Sequence, residues 1–185
     1  MNLFNGECLK KVFYEKQNEE QLKYFLETFL GIKKEEKLEV HYLGVINEIY
    51  KSGFMICSDL IIIYGDNMIK INTHDLGDEF RINIIYGTKD DNEIGKILEL
   101  RFCEDSHEEN IIEEYFFGDL KDPDNEDMKD LYIMKIIDRS RLEELDNSSS
   151  MNRWLKFIGA TSNYKRKQAL ENDQLLIELN MRLEN

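Results

Sequence analysis

Residues 56–71 have the sequence ICSDLIIIYGDNMIKI, and this stretch decides the predicted fold. Residues 56–64 are almost all apolar and several are β-branched, which is typical of a buried central strand. Gly65, Asp66 and Asn67 follow as a turn signal, and residues 68–71 then predict an antiparallel return strand. We therefore expect a hairpin at the centre of a sheet.

Strand-like and helix-like segments surround this hairpin. Apolar residues alternate or cluster as in strands at residues 38–42, 80–86, 97–103 and 131–137. Helical spacing of apolar residues predicts helices at residues 9–13, 18–30, 151–158 and 163–183. Asn18 is the expected N-cap of the second helix and Gly31 its stop. The alternation predicts an α/β fold, with a mixed central sheet flanked by helices and a C-terminal helical pair.

The length of 185 residues suits one domain of ordinary size. We expect an α/β domain over residues 1–150, with an acidic insertion at residues 104–130. A helical extension over residues 151–185 is expected to pack on the same domain. The longest apolar run has five residues, far fewer than the roughly 20 of a membrane span. Residues 1–7 lack the basic and apolar regions of a signal peptide, so a cytoplasmic protein without a membrane partner is expected.

The chain is strongly acidic, with 38 acidic and 24 basic residues and a formal net charge of −14. Proteins that bind duplex nucleic acids cluster lysine and arginine against the phosphates, so direct nucleic-acid binding is not expected. The same charge suits a protein partner with a basic surface. The alternative is that the acidity serves only solubility.

The segment of residues 104–130 concentrates this charge, since it holds twelve acidic residues and two lysines. The spacing of its apolar residues fits one face of a helix, which would combine charge with aromatic anchors for a partner. The candidate interaction residues are Glu108, Glu109, Glu113, Glu114, Tyr115 and Phe116. The alternative is that the aromatic residues pack on the protein's own sheet.

Motifs near both ends of the chain resemble the Rpn family, whose members are similar to PD-(D/E)XK nucleases and transposases. The residues that carry the resemblance are Lys10 to Phe13, the helical segment 18–32, Lys51, Asp59, residues 71–76, the stretch RWLKFIGA at 153–160, Ser162, Asn163, Arg166 and residues 173–180. The resemblance implies a restriction-endonuclease-like core and Mg²⁺-dependent DNA cleavage. In such a core, an aspartate on one strand and a glutamate on the next hold the metal.

The departures from the family pattern indicate a degenerate member. Asp59 is retained, and it would be the catalytic and metal-binding aspartate of an active enzyme. His74 stands at the glutamate position as a vestigial site residue, Leu76 at the glutamine position, and Gly6 at the opening aspartate. Histidine is a poor Mg²⁺ ligand beside a single carboxylate, and leucine cannot orient water. We therefore expect no cofactor, and a protein that binds another protein in mobile-element or phage–host conflict.

Two alternatives remain open at this point. The first is an acidic inhibitor of a nucleic-acid-binding defence enzyme, which would mimic nucleic acid as anti-CRISPR proteins can. The second is an active Mg²⁺-dependent DNA endonuclease with a shifted site, in which Asp75 or Asp78 replaces the missing glutamate. Asp59 has a third interpretation, as a polar position at the rim of a strand.

Overall fold

The structure is a computed structural model, and it describes twelve segments of the chain. These are residues 12–13, 15–33, 37–42, 47–49, 55–57, 60–75, 79–88, 94–104, 109–117, 132–160, 163–170 and 173–184. The chain forms two compact units. The helical unit comprises Met1–Glu36 and Asp138–Asn185, and the sheet unit comprises Lys37–Ile137. The predicted division at residue 150 therefore does not coincide with a boundary between these units.

The sheet unit contains nine strands, counted over the described residues. They are β1 (Glu39–Tyr42), β2 (Asn47–Ile49), β3 (Met55–Cys57), β4 (Leu60–Tyr64), β5 (Asn67–Asp75), β6 (Glu79–Thr88), β7 (Ile94–Cys103), β8 (Ile112–Phe117) and β9 (Tyr132–Asp138). Seven of them form one sheet in the order β1-β4-β5-β6-β7-β9-β8, and β2 pairs with β3 in a small second sheet. Together with the helices, this mixed seven-stranded sheet confirms the predicted α/β class.

The predicted hairpin is confirmed as the connection between β4 and β5. These strands pair antiparallel, with Tyr64 opposite Asn67 across the turn. Gly65 has a φ of +54°, in the left-handed region that glycine enters at little cost. A local turn signal between two apolar segments was sufficient to predict this pairing.

The prediction of one central strand over residues 56–64 is wrong. Residues of this stretch belong to two strands, because β3 pairs with β2 in the small sheet while β4 belongs to the large one. The polar pair Ser58 and Asp59 separates the two apolar blocks, and aspartate is disfavoured within strands. β4 is the second strand from an edge, and the central position belongs to β6.

Strand register places the apolar side chains of β4 to β7 side by side on one face of the sheet. Leu60 lies opposite Ile71, Ile71 opposite Ile84, and Ile84 opposite Leu98. The buried side chains of this face, each at most 2% exposed, are Leu60, Ile62, Ile69, Ile71, Phe80, Ile82, Ile84, Leu98, Leu100 and Phe102. Because the side-chain period of a strand is two, a register slip of one residue would expose this face. The apolar alternation therefore fixes the register.

The helical unit contains four α-helices among the described residues. They are α1 (Glu19–Leu30), α2 (Ser150–Gly159), α3 (Asn163–Ala169) and α4 (Gln174–Glu184). A 3-10 turn, Lys16–Asn18, precedes α1, and a 3-10 helix, Arg139–Glu144, follows β9. No helix within these described segments is long and apolar enough to cross a membrane.

Trp154 of α2 forms the centre of the helical unit, and its side chain is fully buried. Its ring lies 5.3 Å from that of Phe25 and 5.9 Å from that of Phe157, measured between centroids. The rings of Tyr24 and Phe13 lie 5.8 and 6.3 Å away. Phe13 belongs to a buried helical turn with Val12, whereas residues 9–11 of that predicted helix lie outside the described residues.

The helix termini agree with the sequence signals in part. Gly31 ends α1 with a φ of +70°, and its amide donates to the Glu27 carbonyl at 3.0 Å, as predicted. Asn18 occupies the predicted N-cap position without a capping hydrogen bond from its side chain. Its Oδ1 instead accepts from Arg182 Nη1 at 2.6 Å, so the buried amide of Asn18 links α4 to the start of α1.

The predicted helix over residues 163–183 is wrong in its continuity, since it divides into α3 and α4. Asp173 lies between them, and its Oδ1 accepts a hydrogen bond from the Leu176 amide at 3.2 Å. Aspartate is among the best N-capping residues, which explains why a new helix begins here. Leu176 and Leu179, predicted on one helical face, are both fully buried.

Candidate functional site

The predicted catalytic positions are only partly covered by the structure. Asp59, the candidate catalytic and metal-binding aspartate, lies outside the described residues. His74 lies on β5, where its backbone is opposite Arg81 of β6. In the part of the chain that is described, no group of three or more His, Cys, Asp or Glu side chains could hold a metal ion.

The prediction of a helix around residues 111–116 is wrong, because this segment forms β8. The strand pairs antiparallel with β9, with Ile112 opposite Ile137 and Phe117 opposite Tyr132. Isoleucine and the aromatic residues all favour strands. The sequence IIEEYFF repeats apolar pairs at a spacing that also fits a helix, and pairing with β9 resolves the ambiguity in favour of a strand.

In the described part of the chain, β8 is one of the two edge strands of the large sheet, and its last three residues are aromatic. Tyr115, Phe116 and Phe117 are 37%, 54% and 47% exposed. Among the strands that the structure describes, β8 has a neighbour on one side only, β9. Successive strand residues point to opposite faces, so aromatic surface is exposed on both faces of this edge.

The predicted acidic residues lie along and just before the same strand. Glu109 is exposed, and Glu113 accepts from the Asn110 side chain at 2.7 Å. Glu114 forms an ion pair with Lys135 of β9, with 2.6 Å between Oε1 and Nζ. Glu108 lies outside the described residues. The structure therefore brings five of the six predicted interaction residues to one edge, with the charge of Glu114 balanced by Lys135.

A polar network that the sequence analysis missed lies beside this edge. The rings of Phe117 and Tyr132 meet edge to face, 4.9 Å apart, and the Tyr132 hydroxyl donates to Glu99 Oε2. Glu99 Oε1 accepts from Arg101 at 3.0 Å from Nε and 2.7 Å from Nη2. The signal for it was present as alternation, since residues 98–101 read LELR and place the two charged side chains on one face.

A second carboxylate continues the network across β6. Glu79 accepts from Arg81 Nε, and Arg101 Nε lies 3.4 Å from Glu79 Oε1. Two carboxylates and two guanidinium groups therefore balance each other, and Glu99 itself is buried. A balanced network of this kind fixes neighbouring strands relative to one another.

The titration of Tyr132 supports this structural role. Burial, followed by the hydrogen bond to Glu99, raises the pKa of Tyr132 to about 12. The hydrogen bond to Glu79 is the largest cause that raises the pKa of Arg81. The phenol therefore stays a neutral donor at physiological pH, and a group with this pKa is a weak general acid.

Residues that carried the family resemblance form a second polar cluster, within the helical unit. Arg153 Nε and the Tyr24 hydroxyl each lie 2.8 Å from Asp173 Oδ2. Arg153 also donates to the Tyr24 hydroxyl at 3.1 Å and to the Asn147 carbonyl at 2.7 Å. Arg153, Trp154 and Asp173 thus hold the helical unit together.

Comparison with known proteins adds no family to these observations. No protein-family model, curated protein or solved structure matches this chain. The resemblance to the Rpn family therefore depends on the sequence motifs alone.

Proposed function

We propose that the chain acts by binding a protein partner along the outer edge of β8, as a nuclease-like protein of Rpn type that has lost catalysis. One observation carries this proposal. Tyr115, Phe116 and Phe117 are consecutive, aromatic and exposed on a strand that lies at an edge of the described sheet. Aromatic residues are enriched among the anchors that dominate binding energy at protein interfaces.

The edge of β8 favours a partner segment in extended conformation. A strand with a neighbour on one side presents backbone donors and acceptors along the other, and an added strand satisfies them. Soluble proteins usually protect such an edge with charged side chains, above all lysine, with proline or with a short strand length. β8 has six residues and contains neither lysine nor proline; its charged residues, Glu113 and Glu114, precede an aromatic end that carries no charge.

The charge of this region defines the chemistry of the partner. Glu109 and Glu113 precede the aromatic residues, and the segment of residues 104–130 has a formal charge of −10. A complementary partner would carry lysine or arginine between apolar side chains. Opposite potentials on the two surfaces would accelerate their encounter.

The loss of catalysis is supported by the residues at the family's metal-binding positions. His74 and Leu76 replace the carboxylate and the water-orienting amide, and Mg²⁺ requires oxygen ligands. Without a carboxylate at position 74, Asp59 alone would hold the metal poorly. Protein binding needs no metal.

The experiment is site-specific photo-crosslinking in the native host. A photoreactive phenylalanine analogue replaces Phe116 in one variant and Tyr164 in the matched control, whose side chain is 71% exposed on α3. We expect a defined protein adduct from position 116 and none of the same mass from position 164. The double variant Phe116→Ser with Phe117→Ser should lose at least about tenfold in affinity for that partner, since two anchors are removed. An adduct shared by both positions, or undiminished affinity in the double variant, would rule out the β8 edge.

A further inference from the structure

A cavity of about 300 Å³ lies within the helical unit. Its walls come from the 3-10 helix, α2 and its C-terminal end, and α3. The lining residues are Arg139, Leu142, Glu143, Lys156, Gly159, Ala160, Lys165 and Gln168. Its size suits a small organic molecule.

The cavity is positively charged, although the chain as a whole is acidic. Three lining residues are cationic and only Glu143 is anionic, which leaves two positive charges in the wall. Glu143 Oε1 lies 3.0 Å from Lys165 Nζ, so that carboxylate already neutralises one of the lysines. An anion in the cavity would be attracted by the net positive charge of its lining residues.

The cationic groups are held in place by contacts of their own. Arg139 is only 9% exposed, and its Nε donates to the Gly159 carbonyl at 3.3 Å. Lys156 Nζ donates to Asn147 Oδ1 at 2.9 Å. The 3-10 helix that begins at Arg139 is capped by Asp138, whose Oδ1 accepts from the Ser140 amide at 2.9 Å. Groups that are ordered before binding lose less conformational entropy when a ligand arrives.

The rest of the lining suits the organic part of a ligand. Leu142 and Ala160 are buried apolar residues, and the Gln168 side chain adds an amide. A planar guanidinium matches two oxygens of a carboxylate or phosphate, and lysine adds a point charge. The wall therefore combines oxyanion recognition with apolar contact.

We propose that this cavity binds a small organic oxyanion, a phosphate ester or a dicarboxylate, through Arg139, Lys156 and Lys165. The ligand would place its charged group among these three side chains and its organic part against Leu142 and Ala160. This site is independent of partner binding at the β8 edge, since it uses residues of the helical unit alone.

Calorimetric titration of the full chain tests the proposal, with phenyl phosphate and phthalate as probes and chloride at equal ionic strength as the blank. We expect at least one probe to bind, and which one binds identifies the oxyanion. Lys165→Gln should weaken binding about tenfold, because a charge-assisted hydrogen bond is lost. The matched control is Lys167→Gln, on the same helix and outside the lining, since Lys167 also forms a surface ion pair, with Glu184. The affinity of the Lys167→Gln variant for the probe should stay within about twofold of that of the unmodified chain.

The carboxylate of Glu143 competes with the ligand for Lys165, so its removal is expected to change the affinity in the opposite direction. Glu143→Gln should tighten binding severalfold, since it raises the positive charge of the cavity and releases Lys165. Backbone amide signals of Leu142, Gly159 and Gln168 should shift during the titration. Absence of binding by both probes would overturn the proposal. So would equal weakening by Lys165→Gln and Lys167→Gln, because it would show attraction to surface charge in general.

Discussion

Arg153 connects separate parts of the helical unit through a single guanidinium group. It contacts Asp173 at the start of α4, the Tyr24 hydroxyl of α1 and the carbonyl of Asn147. Asp173 is nearly buried, with its side chain 7% exposed. A buried carboxylate without its cationic partner is costly, so this pair matters more than the surface pairs.

Replacement of Arg153 by alanine should therefore lower the free energy of unfolding by about 3–5 kcal/mol. Denaturant titration followed by fluorescence measures it, because Trp154 is the single tryptophan of the chain and belongs to the helical unit. Arg141→Ala is the control, since its pair with Glu144 is exposed and is worth at most about 1 kcal/mol. Equal losses in the two variants would contradict the buried-pair argument.

Tyr132 should make the sheet unit less stable as the pH rises into the alkaline range. Its folded-state pKa of about 12 lies above the unfolded value of roughly 10. The protonated phenol thus stabilises the fold fully below about pH 10, and this contribution is lost as the pH rises to about 12. The denaturation midpoint should therefore fall between these pH values. We expect Tyr132→Phe to remove the part of this fall that is due to Tyr132. Identical pH profiles for the two proteins would show that folding does not raise the pKa of Tyr132.

Among the secondary-structure elements, local sequence signals predicted the β4–β5 hairpin. They did not predict which strands pair when the strands are distant in sequence. The β4–β5 hairpin needs only a turn and two apolar segments that are adjacent in sequence. Strand order is different, because β8 lies outside β9 although it precedes β9 along the chain. The segment of β8 fits a helix or a strand equally well until β9 supplies its hydrogen-bond partners.

The candidate sites show the same limit. The predicted interaction residues are close in sequence, and the structure places those it describes along one strand edge. The network of Glu79, Arg81, Glu99, Arg101 and Tyr132 depends on the register of three strands, which no local pattern specifies. The cationic cavity is also non-local, since Arg139 and Lys165 come from elements separated by α2.

Charge reversal on β8 tests the electrostatic part of partner binding. The double variant Glu109→Lys with Glu113→Lys should weaken binding to the partner captured at position 116, and most strongly at low salt. Exposed charges are screened beyond roughly 8–10 Å at physiological ionic strength, so added salt should reduce the difference. Association rates measured across a salt series provide the readout.

The control for this reversal is Glu144→Lys with Glu178→Lys, which makes the same charge change in the helical unit. Circular dichroism should be unchanged in all variants. Equal weakening in both double variants would mean that overall net charge, and not the β8 edge, attracts the partner.

For the whole molecule, the two units differ sharply in charge. The sheet unit holds 23 acidic and 10 basic residues, and the helical unit holds 15 acidic and 14 basic residues. Nearly all of the net charge of −14 therefore belongs to the sheet unit, at −13. This asymmetry fits the two proposals, which place a basic partner on the acidic unit and an anion in the nearly neutral one.

The same asymmetry argues against DNA cleavage. A unit with a net charge of −13 repels phosphates, and Asp59 lacks a second carboxylate at the position of His74. We expect that the protein does not retard DNA in a gel at low salt. We also expect that it does not cleave plasmid or single-stranded DNA with Mg²⁺ or Mn²⁺. The matched variant is Asp59→Ala, which separates activity of this chain from a contaminating nuclease. Cleavage that Asp59→Ala abolishes would show that a shifted metal site, with Asp75 or Asp78, is at work and that the chain is an enzyme.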